Sequence, residues 1–516
     1  MVHFTDLPFE ILTRILSYLL SHRDIAALSI QCRFLHAVCD MDTRRRYRRI
    51  RITPDKKSLN RAFDRLFKIL KRPSLGRHVR RIEYINCTSY ETERIYPPGY
   101  ERDPTPEETR LLLTACHAAG FGRSDDDNLM AMLLPPPVEE TEWSEKQLAY
   151  QAQAMNIVLA LTALHISVSQ NVEYLAIPDP CFTYSGPGTP EDIVCCPVYQ
   201  LIENVHANPE ERPFLQNLRT IYLLNAQGSP DPVYSQNYCF LDLPQSMVLF
   251  QGLPAIESIR TDILGAPQIS ILSMLDLKPA YSNFSKVSIQ HSCVDSSYLA
   301  TVVTFCKVLR EFEYGLGGKY RYGLEYPVFN PKTFIQALLF HKATLETLDV
   351  DIDASWPFDL EEWDEEYEQE IEKIFWLLPY DIWEQSGSLK DFCSLKRLSL
   401  GIKFLMYFAE GVIAGSPRMW LGVSYSPCKE EGEDCFNLAD HLPPNLEYLT
   451  IRGYKRGVNM AHDAQVDALI ALKENASSKI KEITGIEHPI PNGEDFDPDV
   501  DGSILWHRVD EEWNDD

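Results

Sequence analysis

The chain has 516 residues, 45% of them hydrophobic, with 75 acids against 49 Lys and Arg for a net charge of −26. That length and composition give a globular protein able to bury a large core. The excess of acids argues against nucleic acid as the main partner, because phosphate binding needs a basic surface.

The charge is unevenly placed. Residues 1–81 hold 19 Lys and Arg against 7 acids, and the remainder holds 30 against 68. The longest apolar stretch, Met155 to Val168, is too short for a membrane span and contains His165. With no signal peptide ahead of the first helix, the expected place is the cytoplasm, the nucleus or both. The 13 cysteines contain no C-x-x-C pair. They read as small buried apolar residues of a reducing compartment, without a metal site.

The first elements are helical. Leu7-Pro8-Phe9-Glu10 opens a helix with apolar residues at Ile11, Leu12, Ile15, Leu16 and Leu19, one stripe of a 3.6-residue period. Pro8 suits the first helical position, and Glu10 favours the positive end of the helix. Ser21 and Asp24 have the spacing of a capping box for a second helix, whose apolar face is Ile25, Leu28 and Cys32. Phe34, Leu35 and Val38 form a third. Three short helices bury little surface, so apolar residues left over can belong to a partner. The basic run Arg44, Arg45, Arg46, Arg48, Arg49 and Arg51 reads as a solvated helix end, with an import or phosphate-binding patch as the other reading.

The string Leu7-Pro8, Glu10-Ile11, Ile15, Leu19, Asp24, Leu28, Cys32-Arg33 and Phe34 resembles the F-box, a three-helix module. The resemblance covers residues up to about Tyr47, and the family's usual late tryptophan is absent. It implies binding to a Skp-family adaptor and, through it, to the cullin and RING subunits of a ubiquitin ligase. The adaptor-facing residues it implies are Leu7, Pro8, Glu10, Ile11, Ile15, Leu16, Leu19, Leu28, Cys32 and Phe34.

From Val79 onward one pattern recurs: apolar, two variable residues, apolar, one variable, apolar. It is clear in Val79-Arg-Arg-Ile82-Glu-Tyr84, Val172-Glu-Tyr-Leu175-Ala-Ile177 and Leu218-Arg-Thr-Ile221-Tyr-Leu223. It returns in Leu345-Glu-Thr-Leu348-Asp-Val350, Leu395-Lys-Arg-Leu398-Ser-Leu400 and Leu446-Glu-Tyr-Leu449-Thr-Ile451, with weaker copies at Ile256, Phe284, Leu309 and Ile480. This is the strand core of a leucine-rich repeat, but successive copies lie 25 to 93 residues apart, so insertions and long helices are expected between strands. Helical stripes precede several copies, at 59–70, 147–169, 334–339 and 466–472. The fold class is therefore α/β: an N-terminal three-helix F-box, then an irregular leucine-rich-repeat-like solenoid with a curved parallel sheet and outer helices. The expected domains are 1–50, 51–490, and an acidic tail at 491–516. Residues 359–372 hold nine acids in fourteen and residues 494–516 hold ten acids and one arginine, both read as solvated or disordered.

No catalytic template is met. Gly315-Leu-Gly317-Gly318 lacks the last glycine of a dinucleotide loop, and no phosphate loop, H-E-x-x-H or G-x-S-x-G occurs. Asp349, Asp351 and Asp353 share one strand face and are expected to line a solvated surface, not to hold a cation. No cofactor is called for. In the repeat pattern the variable residues beside the inner ones face outward from the concave sheet. Tyr174, Tyr222, Arg260, Asp349, Asp351, Arg397, Tyr448 and Arg452 are the candidates to contact a protein substrate, Tyr and Arg being common hot-spot residues. A parallel sheet should align Thr347 with Arg397 and Tyr448. The expected function is a substrate-recognition subunit of a Skp–cullin–F-box ubiquitin ligase, non-enzymatic itself; the alternative is a scaffold that binds the adaptor without ubiquitination.

Overall fold

The computed structural model describes residues 4–19, 22–84, 100, 102–121, 129–135, 143–180, 196–208, 210, 214–224, 238, 241–265, 279–317, 329–353, 380–415, 436–475 and 478–493. The acidic run 359–372, the tail 494–516, Ser21, Gly318 and most of the Pro-rich insertions lie outside the described residues. The chain divides into two compact units, one of residues 1–176 and 183–218, the other of 177–182 and 219–516. No helix among the described residues is long and apolar enough to cross a membrane.

The first unit begins with helices α1 (Phe9–Tyr18), α2 (His22–Ser29) and α3 (Arg33–Cys39). Pro8 is the N-cap of α1, one place earlier than expected, and its carbonyl accepts from the Ile11 and Leu12 amides at 3.0 and 3.1 Å. Cys32 caps α3, its Sγ accepting from the Leu35 amide. The three helices close over Leu12, Leu16, Ile25, Val38 and Cys39, with Leu7, Leu19, Leu28 and Met41 packed at the edge. Helix α4 (Met41–Arg48) then starts at Asp40, whose left-handed backbone (φ 47°) turns the chain and whose carboxylate accepts from the Thr43 amide.

The basic run does not stay helical. Arg49–Ile52 is strand β1, with Ile50 and Ile52 fully buried and Arg49 and Arg51 half-buried on the other face. The charge of this stretch had hidden a clean period-2 alternation. Strand β1 pairs in parallel with β2 (Arg81–Tyr84), and β2 with β3 (Tyr174–Pro178), bringing Arg49, Arg81 and Tyr174 into one row. Helices α5 (Lys56–Lys71), α6 (Pro106–Ala119), α7 (Trp143–Ser167) and α8 (Pro197–Ala207) complete this unit. Thr105 and Glu108 form a reciprocal capping box at the start of α6.

The second unit holds β4 (Thr220–Leu224), β5 (Ser258–Asp262), β6 (Lys286–Gln290), β7 (Glu311–Gly315), β8 (Thr347–Asp351), β9 (Arg397–Gly401), β10 (Tyr448–Arg452) and β11 (Glu482–Thr484). They pair in parallel and in chain order. Between them lie α9 (Leu243–Phe250), α10 (Ser296–Phe305), α11 (Pro331–Leu338), α12 (Ile402–Glu410) and α13 (Met460–Glu474). Each expected copy of the apolar pattern is a strand: Ile221, Ile259, Val287, Phe312, Leu348, Leu398 and Leu449 are all within 2% of complete burial. Burying each such side chain stabilises the fold by roughly 1.5–3 kcal/mol. The result is a solenoid-like, mixed α/β unit. An aromatic cluster of Phe312, Phe329, Phe334, Phe404 and Phe408 fills the core behind β7 to β9.

A polar ladder joins the repeats. Three residues before a strand begins, a short polar side chain bonds a carbonyl of the preceding turn. Asn171 reaches Arg77 O at 2.9 Å, Asn217 reaches Gln170 O at 3.2 Å and Asn283 reaches Gln251 O at 3.2 Å. Thr344, Ser394 and Asn445 likewise bond Leu309 O, Ala343 O and Cys393 O. These bonds satisfy carbonyls that no strand partner reaches.

Candidate functional site

Two kinds of surface stand out, and they differ in chemistry. The first is on the helical module. Its own core is small, and several large apolar side chains stay outside it: Phe4 is 40% exposed, Ile11 44%, Ile30 79% and Phe34 45%. Exposed apolar residues gathered on one small module mark a contact surface. Of the residues expected to face a partner, Pro8, Ile11, Cys32 and Phe34 are exposed and Ile15 is half-buried. Leu7, Leu19 and Leu28 are half-buried against the module's core. Leu16, 3% exposed, belongs to that core, because it sits on the side of α1 that meets α2 and α3. The side chain of Glu10 lies outside the described residues. Phe4 and Ile30 were missed; Ile30 follows Ile25 by five residues, which turns it well away from the buried stripe, a signal the periodicity carried.

The second surface is the open face of each parallel sheet. In the first unit Glu83 is fully buried between three guanidinium groups. Its carboxylate accepts from Arg49 Nε at 2.5 Å and Arg81 Nε at 2.9 Å, with Arg51 Nε at 3.7 Å. The Arg81 guanidinium also lies 4.3 Å from the centre of the Tyr174 ring. Sequence reasoning found Tyr174 and overlooked this cluster, since two of its members, Arg49 and Arg51, sit in the run read as solvated.

In the second unit the candidates fall into separate groups. Register sets Thr347 beside Arg397 and Arg397 beside Tyr448. The Arg397 guanidinium lies 5.2 Å from the Tyr448 ring centre, and Lys481 Nζ lies 5.6 Å from the same ring. Asp349, Asp351 and Arg452 form another group. Arg452 Nη2 donates to both Asp349 oxygens at 3.1 and 3.2 Å, and its Nε to Ser399 Oγ at 3.2 Å. Arg452 Nη1 is 3.9 Å from Asp351, whose Oδ2 accepts from the Gly493 amide at 2.7 Å. Residues 490–493 therefore cross back over β10 to β8, with the Gly453 amide donating to Ile490 O at 2.8 Å. Tyr222 is buried at 9% exposure, and Arg260, its register neighbour, is exposed.

The three aspartates do not form a solvated row. Only Asp349 is substantially exposed; Asp351 and Asp353 are 5% and 4% exposed. Asp353 lies past the strand end and caps α12, accepting from the Lys403 and Phe404 amides at 3.0 and 3.2 Å. Burial pushes its carboxyl up to about 6 despite those two bonds. Gly401 makes the approach possible: a Cβ there would meet the Asp353 carboxyl at 2.0 Å. Burial likewise raises the Asp351 carboxyl, against the opposing effect of the Gly493 amide and Arg452. Among the described residues no cluster of His, Cys, Asp and Glu could hold a metal ion.

Among curated proteins no match to the chain is found. A family model of the F-box-like domain matches residues 4–52, which span the three-helix module, α4 and strand β1. The chain thus carries an F-box-like domain at residues 4–52.

Proposed function

We propose that this chain is the substrate-recognition subunit of a Skp–cullin–F-box ubiquitin ligase. The observation that carries this reading is the apolar surface of the F-box-like module: Ile11, Ile30 and Phe34 stay exposed outside the described core cluster of Leu12, Leu16, Ile25, Val38 and Cys39. An apolar groove on a Skp-family adaptor would cover them, and the cullin and RING subunits would follow through the adaptor. The open face of the second unit would then hold a protein target near the ubiquitin-conjugating enzyme, so that proximity is the contribution and no catalytic residue is needed. Arg397 and Tyr448 are the anchors of that face, an exposed guanidinium stacked on a phenol ring.

Deleting the protein should make its targets accumulate, and those targets should bind the purified chain directly. Arg397→Ala/Tyr448→Ala should lose them by at least about tenfold in affinity while adaptor binding is kept. Partners that neither accumulate on deletion nor respond to the double substitution would reject the receptor reading.

A further inference from the structure

In strands β4 to β10 only two residues are exposed, and both are arginines: Arg260 on β5 and Arg397 on β9. The other open-face charges of these strands are largely engaged with one another. Lys286 Nζ bridges Glu311 at 2.9 Å and Glu257 at 3.4 Å, and Arg452 holds Asp349. The side chains of Arg260 and Arg397 make no hydrogen bond or ion pair with any described residue; the Arg397 guanidinium has its ring contact with Tyr448 and a through-space attraction to Glu447. An exposed, uncommitted guanidinium carries five donors suited to a carboxylate or phosphate.

Their spacing is defined. β5 and β9 are four strand intervals apart in one ladder, and Arg397 lies two residues before Ser399, which shares the row of Arg260 and Glu313, so the two arginines are about 20 Å apart at ~4.8 Å per interval and ~3.3 Å per residue. An extended polypeptide advances ~3.3 Å per residue, so about six residues span that distance. Midway, on β7, stands Glu313, bonded to the Ser288 hydroxyl at 2.8 Å and facing no cation among the described residues. A nucleic acid strand, with a phosphate every ~3.4 Å, would be forced to set negative charge against it.

We propose that this face, taken as the target surface argued above, binds an extended polypeptide crossing the strands. Two anionic side chains about six residues apart meet Arg260 and Arg397, and a basic or hydrogen-bonding side chain between them meets Glu313. The anionic groups are carboxylates or phosphates, which offer the guanidinium the same oxygen chemistry.

The test is selection of a displayed random 12-residue peptide library on the full chain. Binders should carry paired acids five to seven residues apart, and Arg260→Ala and Arg397→Ala should each weaken them about fivefold, as for exposed ion pairs. Binders remade with lysines in place of the acids should prefer Arg260→Glu/Arg397→Glu. Replacing the selected acids by phosphoserine distinguishes the source: tighter binding assigns phosphate, weaker binding assigns carboxylate. An unchanged denaturant midpoint shows that each variant is folded. Binders without paired acids, or indifferent to both arginines, would overturn the two-point recognition alone. A selection that yields no peptide would overturn the target surface itself.

Discussion

The open faces of the two units share one strand pattern but use arginine in opposite ways. In the first unit Arg49, Arg51 and Arg81 gather around the fully buried carboxylate of Glu83. In the second, Arg260 and Arg397 stand exposed and make no ion pair with a described residue. A guanidinium turned onto a buried carboxylate is part of the framework, because either charge left alone would be costly. One left in solvent costs the fold little and remains available to a ligand. Residue type alone therefore does not mark a binding site; the commitment of its donors does.

The comparison can be broken most readily at Glu83. Glu83→Gln leaves three guanidinium groups around a neutral amide and should destabilise the first unit by about 3–5 kcal/mol. Arg260→Ala and Arg397→Ala should stay within about 0.5 kcal/mol of wild type, as surface substitutions do. Denaturant unfolding of the three variants checks both statements, and equal losses would remove the distinction.

The next effect is a pH dependence in the first unit. His165 is fully buried in α7, with Nε2 3.2 Å from the Ala62 carbonyl and no partner for Nδ1 among the described residues. Burial holds its imidazole down to about 4, from 6.5. The folded state therefore binds fewer protons than the unfolded one between these values. Stability should be complete above about pH 6.5 and fall as pH drops towards 4, by up to about 3 kcal/mol. His165→Leu should remove its share of that fall from the profile of unfolding free energy against pH, leaving the contribution of His78, which burial also lowers to about 4.

The smallest expected effect belongs to the polar ladder of the second unit. Asn445→Ala removes the bond to Cys393 O and should cost about 1 kcal/mol, measured as a shift in the denaturant midpoint at constant slope.

Much of this architecture was legible in the sequence because it rests on local periodicity. Leu348, Leu398 and Leu449 lie where the apolar pattern put them, and the alignment of Thr347, Arg397 and Tyr448 follows from a parallel register. What could not be read depends on contacts between distant segments. Strand β1 was masked by its charge, since the carboxylate that accommodates Arg49 and Arg51 lies more than thirty residues away at Glu83. Asp351 and Asp353 looked solvated because their burial comes from Gly493 and from the start of α12. Leu16 looked available to a partner because a helical stripe does not say which of its members the neighbouring helices cover. The ladder residues Asn171, Asn217 and Asn445 sit at a fixed offset from the strands, but one such residue is unremarkable without its acceptor.

The central claim is that adaptor and target occupy separate surfaces. Titration of a purified Skp-family adaptor into wild type, Ile11→Ala/Phe34→Ala and Arg260→Ala/Arg397→Ala tests it most directly. The account predicts a loss of at least about hundredfold in the Kd of the first variant, from two truncated apolar anchors, and an unchanged Kd in the second. Unchanged affinity in the F-box variant, or an equal loss in both, would contradict it.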